Sequence, residues 1–95
     1  MQIAMYSHHP ELTLEMFDQI DRRIHEALGG GEPKGMIHHS VIGAGQGVTV
    51  YEIWESEEDF QAFGQLLLPI ITEMGLGPGH PVISPVYRLV QDARS

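Results

Sequence analysis

Apolar and polar positions alternate along this chain with two periods, and the switches between them mark the elements. Residues 2–7 (QIAMYS) read as a short strand. His8-His9-Pro10-Glu11 reads as a loop, because Pro10 biases His9 toward extended backbone. Leu14, Phe17, Ile20, Ile24, Ala27 and Leu28 then recur at three- and four-residue steps, the stripe of an amphipathic helix capped by Thr13. Gly29-Gly30-Gly31 stops that helix. No Gly-Lys-Ser/Thr follows these glycines and no helix begins there, so they are not a phosphate loop.

Residues 36–54 read as a hairpin around the glycine-rich turn Ala44-Gly45-Gln46-Gly47. With Gly45-Gln46 as the central pair of a type II′ turn, Ala44 faces Gly47, Val41 faces Val50, His39 faces Glu52 and Ile37 faces Trp54. Side chains alternate between sheet faces. One face therefore carries Ile37, His39, Val41, Val50, Glu52 and Trp54, and the other carries Met36, His38, Ser40, Ile42, Thr49, Tyr51 and Ile53. Both faces are substantially apolar, which predicts that each is covered. Ser56 then caps a second helix, with Glu57, Glu58 and Asp59 in its first turn and a buried stripe of Phe60, Phe63, Leu66, Leu67, Ile70, Ile71 and Met74. Pro69 falls inside this stripe and predicts a kink or brief break. Gly75 ends the helix, residues 75–81 form a glycine- and proline-rich connector, and residues 82–90 read as a last strand with Pro85 at a bulge or edge.

The order is β-α-β-β-α-β in a single domain spanning residues 1–95. This predicts an α+β, ferredoxin-like βαββαβ fold: a four-stranded antiparallel sheet with two helices on one face. The other face would lie bare and partly apolar, which predicts a homodimer through the open sheet face.

Charge and composition narrow the function. The net charge is −8, with 5 Lys+Arg against 13 Asp+Glu, which argues against nucleic acid and against an anionic membrane surface as partners. The chain has no cysteine, so disulfides, zinc-thiolate sites and thiol catalysis are excluded. The first residues lack a basic segment followed by a long apolar run, and no stretch approaches a transmembrane span. A cytoplasmic protein is the expectation.

Six histidines invite a metal site. The adjacent pairs His8-His9 and His38-His39, however, point to opposite faces if they lie on strands, so neither pair can clasp one ion. No metal is expected. The opposed pair His39 and Glu52 is the candidate catalytic pair: the carboxylate would orient the imidazole and raise its pKa, making it a base near neutral pH. The same pair also reads as a polar pair of the sheet with no turnover. Trp54, Phe63, Tyr6 and Tyr51 are candidate substrate contacts.

The run VTVYEIWESEEDFQAF, residues 48–63, resembles the signature stretch of the dimeric α+β barrel superfamily. More narrowly, it is similar to the small antibiotic-biosynthesis-monooxygenase-like proteins, in which a strand ends in Trp-Glu-Ser before acidic residues and a Phe. The resemblance implies a homodimer with a small-molecule cavity between sheet and helices, and an enzyme like the cofactor-independent monooxygenases of aromatic or polyketide-like substrates. On that reading no cofactor is required. The alternative is a non-catalytic small-molecule-binding or structural homodimer. The heme-degrading branch of the superfamily fits poorly: Phe63 stands where its catalytic tryptophan lies, Glu73 where its heme-ligating histidine lies, and residues 2–7 lack its asparagine.

Overall fold

The computed structural model describes residues 1–43 and 45–94. The elements follow in the expected order: β1 (Ile3–His9), α1 (Leu14–Leu28), β2 (Met36–Ile42), β3 (Val48–Trp54), α2 (Glu57–Glu73) and β4 (Val82–Pro85). Together they form an α+β, ferredoxin-like fold with an antiparallel sheet of order β2-β3-β1-β4.

Local chemistry sets the helix ends. The Thr13 and Ser56 hydroxyls accept the backbone N–H of Met16 and Asp59, each at 3.1 Å, which satisfies donors left open in the first turns. Gly29 closes α1 in the left-handed region at φ +73°. Pro69 sits within α2, and the helix runs through it to Glu73 rather than breaking there.

Three expected boundaries change. β1 extends through His8 and His9, because both pair with β3, opposite Thr49 and Val48. β4 covers only Val82–Pro85, where Pro85 can give no N–H to a ladder; beyond it Tyr87 is fully exposed. In the hairpin the expected register holds from His39 opposite Glu52 to Ile42 opposite Thr49, but a bulge at Ile37 puts Met36, not Ile37, opposite Trp54. The extra residue brings Met36 to the helix side. The expected pair of Ala44 with Gly47 lies outside the described residues.

The core lies between helices and sheet. Ile3 and Met5 of β1, Val48, Val50 and Trp54 of β3, Ile20 and Ile24 of α1, and Phe63 and Ile71 of α2 are buried together. Of the α1 stripe, Leu14 and Leu28 remain exposed, because α1 extends past the core at both ends.

Candidate functional site

The central strands aim a short polar row into this otherwise apolar layer. Period-two alternation puts Val48, Val50, Glu52 and Trp54 of β3 on the helix side, with Glu52 between Met5 of β1 and His39 of β2. Glu52 is buried and Trp54 is fully enclosed. The indole Nε1–H of Trp54 donates to Glu52 Oε1 at 3.0 Å. The other carboxylate oxygen, Oε2, faces His39 Nε2 at 3.5 Å, close but longer than a well-formed N–H···O bond. The His39 ring leans on Phe17 of α1, with centroids 5.9 Å apart, and its side chain keeps 26% of its exposure.

Desolvation dominates the electrostatics of this pair. Burial raises the Glu52 carboxyl above its ordinary value, with the Trp54 hydrogen bond pulling the other way. Partial burial lowers the His39 imidazole, against the attraction of Asp21 and Glu32. The expected rise in the imidazole pKa is thus reversed, because desolvation at His39 outweighs the attraction of nearby carboxylates. Both groups are pushed toward their neutral forms.

His39 and Glu52 open onto a cavity of about 580 Å³ between sheet and helices. Met5, Leu12, Phe17, Ile20, Val50, Phe63 and Ile71 give it apolar walls, and residues 76–81 of the connector close one side. Near that side, Ser7 and His9 share a hydrogen bond of 2.8 Å between Oγ and Nε2. Gly79 lies so near the His9 ring that an added Cβ would come within 2.7 Å of its Cε1. Burial lowers the His9 imidazole, helped by the neighbouring His8. At the rim, His25 Nδ1 donates to the Asp21 carbonyl at 2.8 Å while Nε2 faces Glu32 Oε1 at 3.3 Å. These partners, the Asp21 carbonyl first, raise the His25 pKa. Among the described residues, no group of three or more His, Cys, Asp or Glu is arranged to hold a metal ion.

Of the candidate residues, the fold brings His39, Glu52 and Phe63 to the cavity. Trp54 sits behind it, packed against Phe63 and Phe60 with centroids 5.3 and 6.0 Å away, and reaches the site only through Glu52. Tyr6 and Tyr51 face away from the cavity: they pair with each other on the open side, one residue out of phase with Met5 and Glu52. Their expected place as contacts in this cavity is corrected on that ground. The Ser7–His9 pair was missed because residues 8–11 read as loop. The signal was present in the phase of Ile3, Met5, Ser7 and His9.

Fold and cavity together define a class: a ferredoxin-like α+β domain with a small-molecule-sized chamber under its helices and an imidazole–carboxylate pair in its wall. Among the solved structures that share the fold are two that match nearly the whole chain. One is the heme-degrading protein Rv3592 from Mycobacterium tuberculosis, heme-free and with cleaved protein, at 17% identity over 96% of this chain and 100% of that chain, TM-score 0.55. The other is SnoaB, a cofactor-independent oxygenase from Streptomyces nogalater, in a mutant form, at 11% identity over 96% of this chain and 95% of that chain, TM-score 0.58. Likeness at such identities establishes the fold, the one implied by the resemblance in residues 48–63. No family model matches the chain, and no curated protein matches it in sequence. Among the described residues, no helix is long and apolar enough to cross a membrane.

Proposed function

We propose that the chain is a small-molecule enzyme of the cofactor-independent monooxygenase type, acting on an aromatic or polyketide-like substrate held in the cavity. The observation that carries this reading is the line Trp54–Glu52–His39, which ends at the cavity wall. An imidazole held below its ordinary pKa is unprotonated at neutral pH and free to act as a base. Its Nε2 faces Glu52, so Nδ1 takes the proton of a bound phenol or enol, and the electron pair stays on the substrate as phenolate or enolate. Glu52 steadies the imidazolium as it forms, and Trp54 keeps Glu52 in place. The likeness to SnoaB favours oxygenation of that activated ring, with dissolved O2 as the oxidant: an anthrone CH2 becomes C=O with one oxygen atom, and the other leaves as water.

Heme degradation is disfavoured. Glu73 stands on the outside of α2, with its side chain 74% exposed and 3.5 Å from Arg23, and it does not line the cavity.

The working unit in this proposal is a homodimer formed through the open sheet face. That face presents Tyr6, Ile42, Tyr51 and Val82, each at least 36% exposed.

The experiment is a thermal-shift and turnover screen against quinones, anthrones and heme, run on wild type and His39→Ala. A true ligand stabilises by mass action. The proposal expects an anthrone to raise Tm in both proteins and to be consumed only by wild type. Stabilisation without turnover in wild type would instead make the chain a binding protein. Equal turnover in His39→Ala would remove His39 from the chemistry.

A further inference from the structure

The charges around the cavity are lopsided. Glu11, Asp21, Glu32 and Glu52 line it, yet among the described lining residues there is no lysine or arginine. The chain has only 5 Lys+Arg. Arg23 is drawn to Glu73 at 3.5 Å, and Arg94 to Asp92 at 2.6 Å. Five histidines also line it, His8, His9, His25, His39 and His80. His8 is held by Thr49 and His9 by Ser7, each at 2.8 Å, and burial lowers the pKa of His9 and of His39. His25, raised by its partners, lies at the rim between the Asp21 carbonyl at 2.8 Å and Glu32 at 3.3 Å, so its charge is already matched by a carboxylate. A carboxylate, sulfonate or phosphate entering here would leave water for a partly apolar chamber, meet no lysine or arginine and lie close to carboxylates; both effects oppose it. The walls, by contrast, suit uncharged rings, and the Ser7–His9 pair and His39 offer hydrogen bonds to neutral oxygen groups.

We infer that the cavity is selective for ligands that enter uncharged, so that the substrate is an aromatic or polyketide-like phenol or enol that carries no sulfonate or phosphate and whose carboxyl groups are absent, esterified or amidated. This rests on the proposed reading of the cavity as an aromatic small-molecule site. It also places a chemical requirement on whatever reaction supplies the substrate: any free carboxyl must be removed or masked first.

The test compares two probes of the same shape, the carboxamide and the carboxylate of anthraquinone substituted at the same ring position. Binding to the full chain is followed by quenching of the single tryptophan, Trp54, which packs behind the cavity wall. The expected result is that the carboxamide binds at least about tenfold more tightly than the carboxylate at low salt. The ratio should narrow as added salt shortens the Debye length from about 30 Å at 0.01 M to about 3 Å at 1 M. Glu32→Lys, an exposed rim change, should narrow the ratio at low salt as well. Equal affinities in wild type, or a ratio that neither salt nor Glu32→Lys alters, would overturn the charge selectivity while leaving the aromatic site standing. Failure of both probes to bind would overturn the aromatic reading, and this inference with it.

Discussion

Trp54 and Glu52 lie two residues apart on one strand, both buried, and the indole N–H of the first holds a carboxylate oxygen of the second at 3.0 Å. The bond serves both partners. It satisfies the only polar atom of an enclosed indole, and it fixes the carboxylate that faces His39. Trp54→Phe keeps most of the packing but leaves Glu52 Oε1 without its donor. An unsatisfied buried acceptor costs about 1–3 kcal/mol. Urea unfolding followed by circular dichroism should therefore show a loss in that range. A double-mutant cycle with Glu52→Ala, which removes the acceptor, should show coupling between the two sites, because they share one bond.

The buried carboxylate gives the fold a pH signature. Glu52 has a folded-state pKa above its ordinary 4.5, so its contribution to stability is full below that value and is lost as pH rises through the folded value. His39 and His9, held low by burial, act with the opposite sign: their contribution is full above 6.5 and is lost as pH falls through their folded values. Glu52→Gln isolates the first effect, since the amide oxygen can still accept from Trp54. The variant should melt higher than wild type at pH 8, and the gap should close at pH 4. A constant gap across that range would mean that the folded-state pKa of Glu52 is not raised above its ordinary value.

Two glycines should respond to alanine in opposite directions. Gly35 sits at φ +84°, where an added Cβ would strike the Asp59 side chain, and its carbonyl accepts the Glu55 N–H at 2.8 Å. The left-handed region alone costs an L-residue about 1–2 kcal/mol, so Gly35→Ala should lower Tm by several degrees. Gly64 lies within α2 with nothing within 4 Å of an added Cβ. Gly64→Ala should stabilise by about 0.5–1 kcal/mol through reduced backbone entropy.

The proposed dimer makes a sharp prediction at Tyr51. Light scattering should give twice the 10.6 kDa chain mass at micromolar concentration. Tyr51→Asp, which puts a charge on the open face, should give monomer or insoluble protein. A monomeric wild type would remove the interface from the proposal.

Much of this molecule was legible in its sequence because the relevant forces are local. Helix caps at Thr13 and Ser56 need only a hydroxyl and the next turn of backbone. The element order follows from two periods and a few glycines, and the pairing of His39 with Glu52 follows from alternation counted back from one turn. What the tertiary structure alone decided is non-local. The bulge at Ile37, which turns Met36 inward, is a compromise between hairpin register and core packing. The extension of β1 to His9 depends on β3 running alongside it, and that extension builds the Ser7–His9 pair. Tyr6 and Tyr51 lie outside the cavity because helices cover only one face of the sheet. The directions of the Glu52 and His39 shifts came from desolvation, which sums over every element packed around them, whereas the sequence displayed only the attraction between the two.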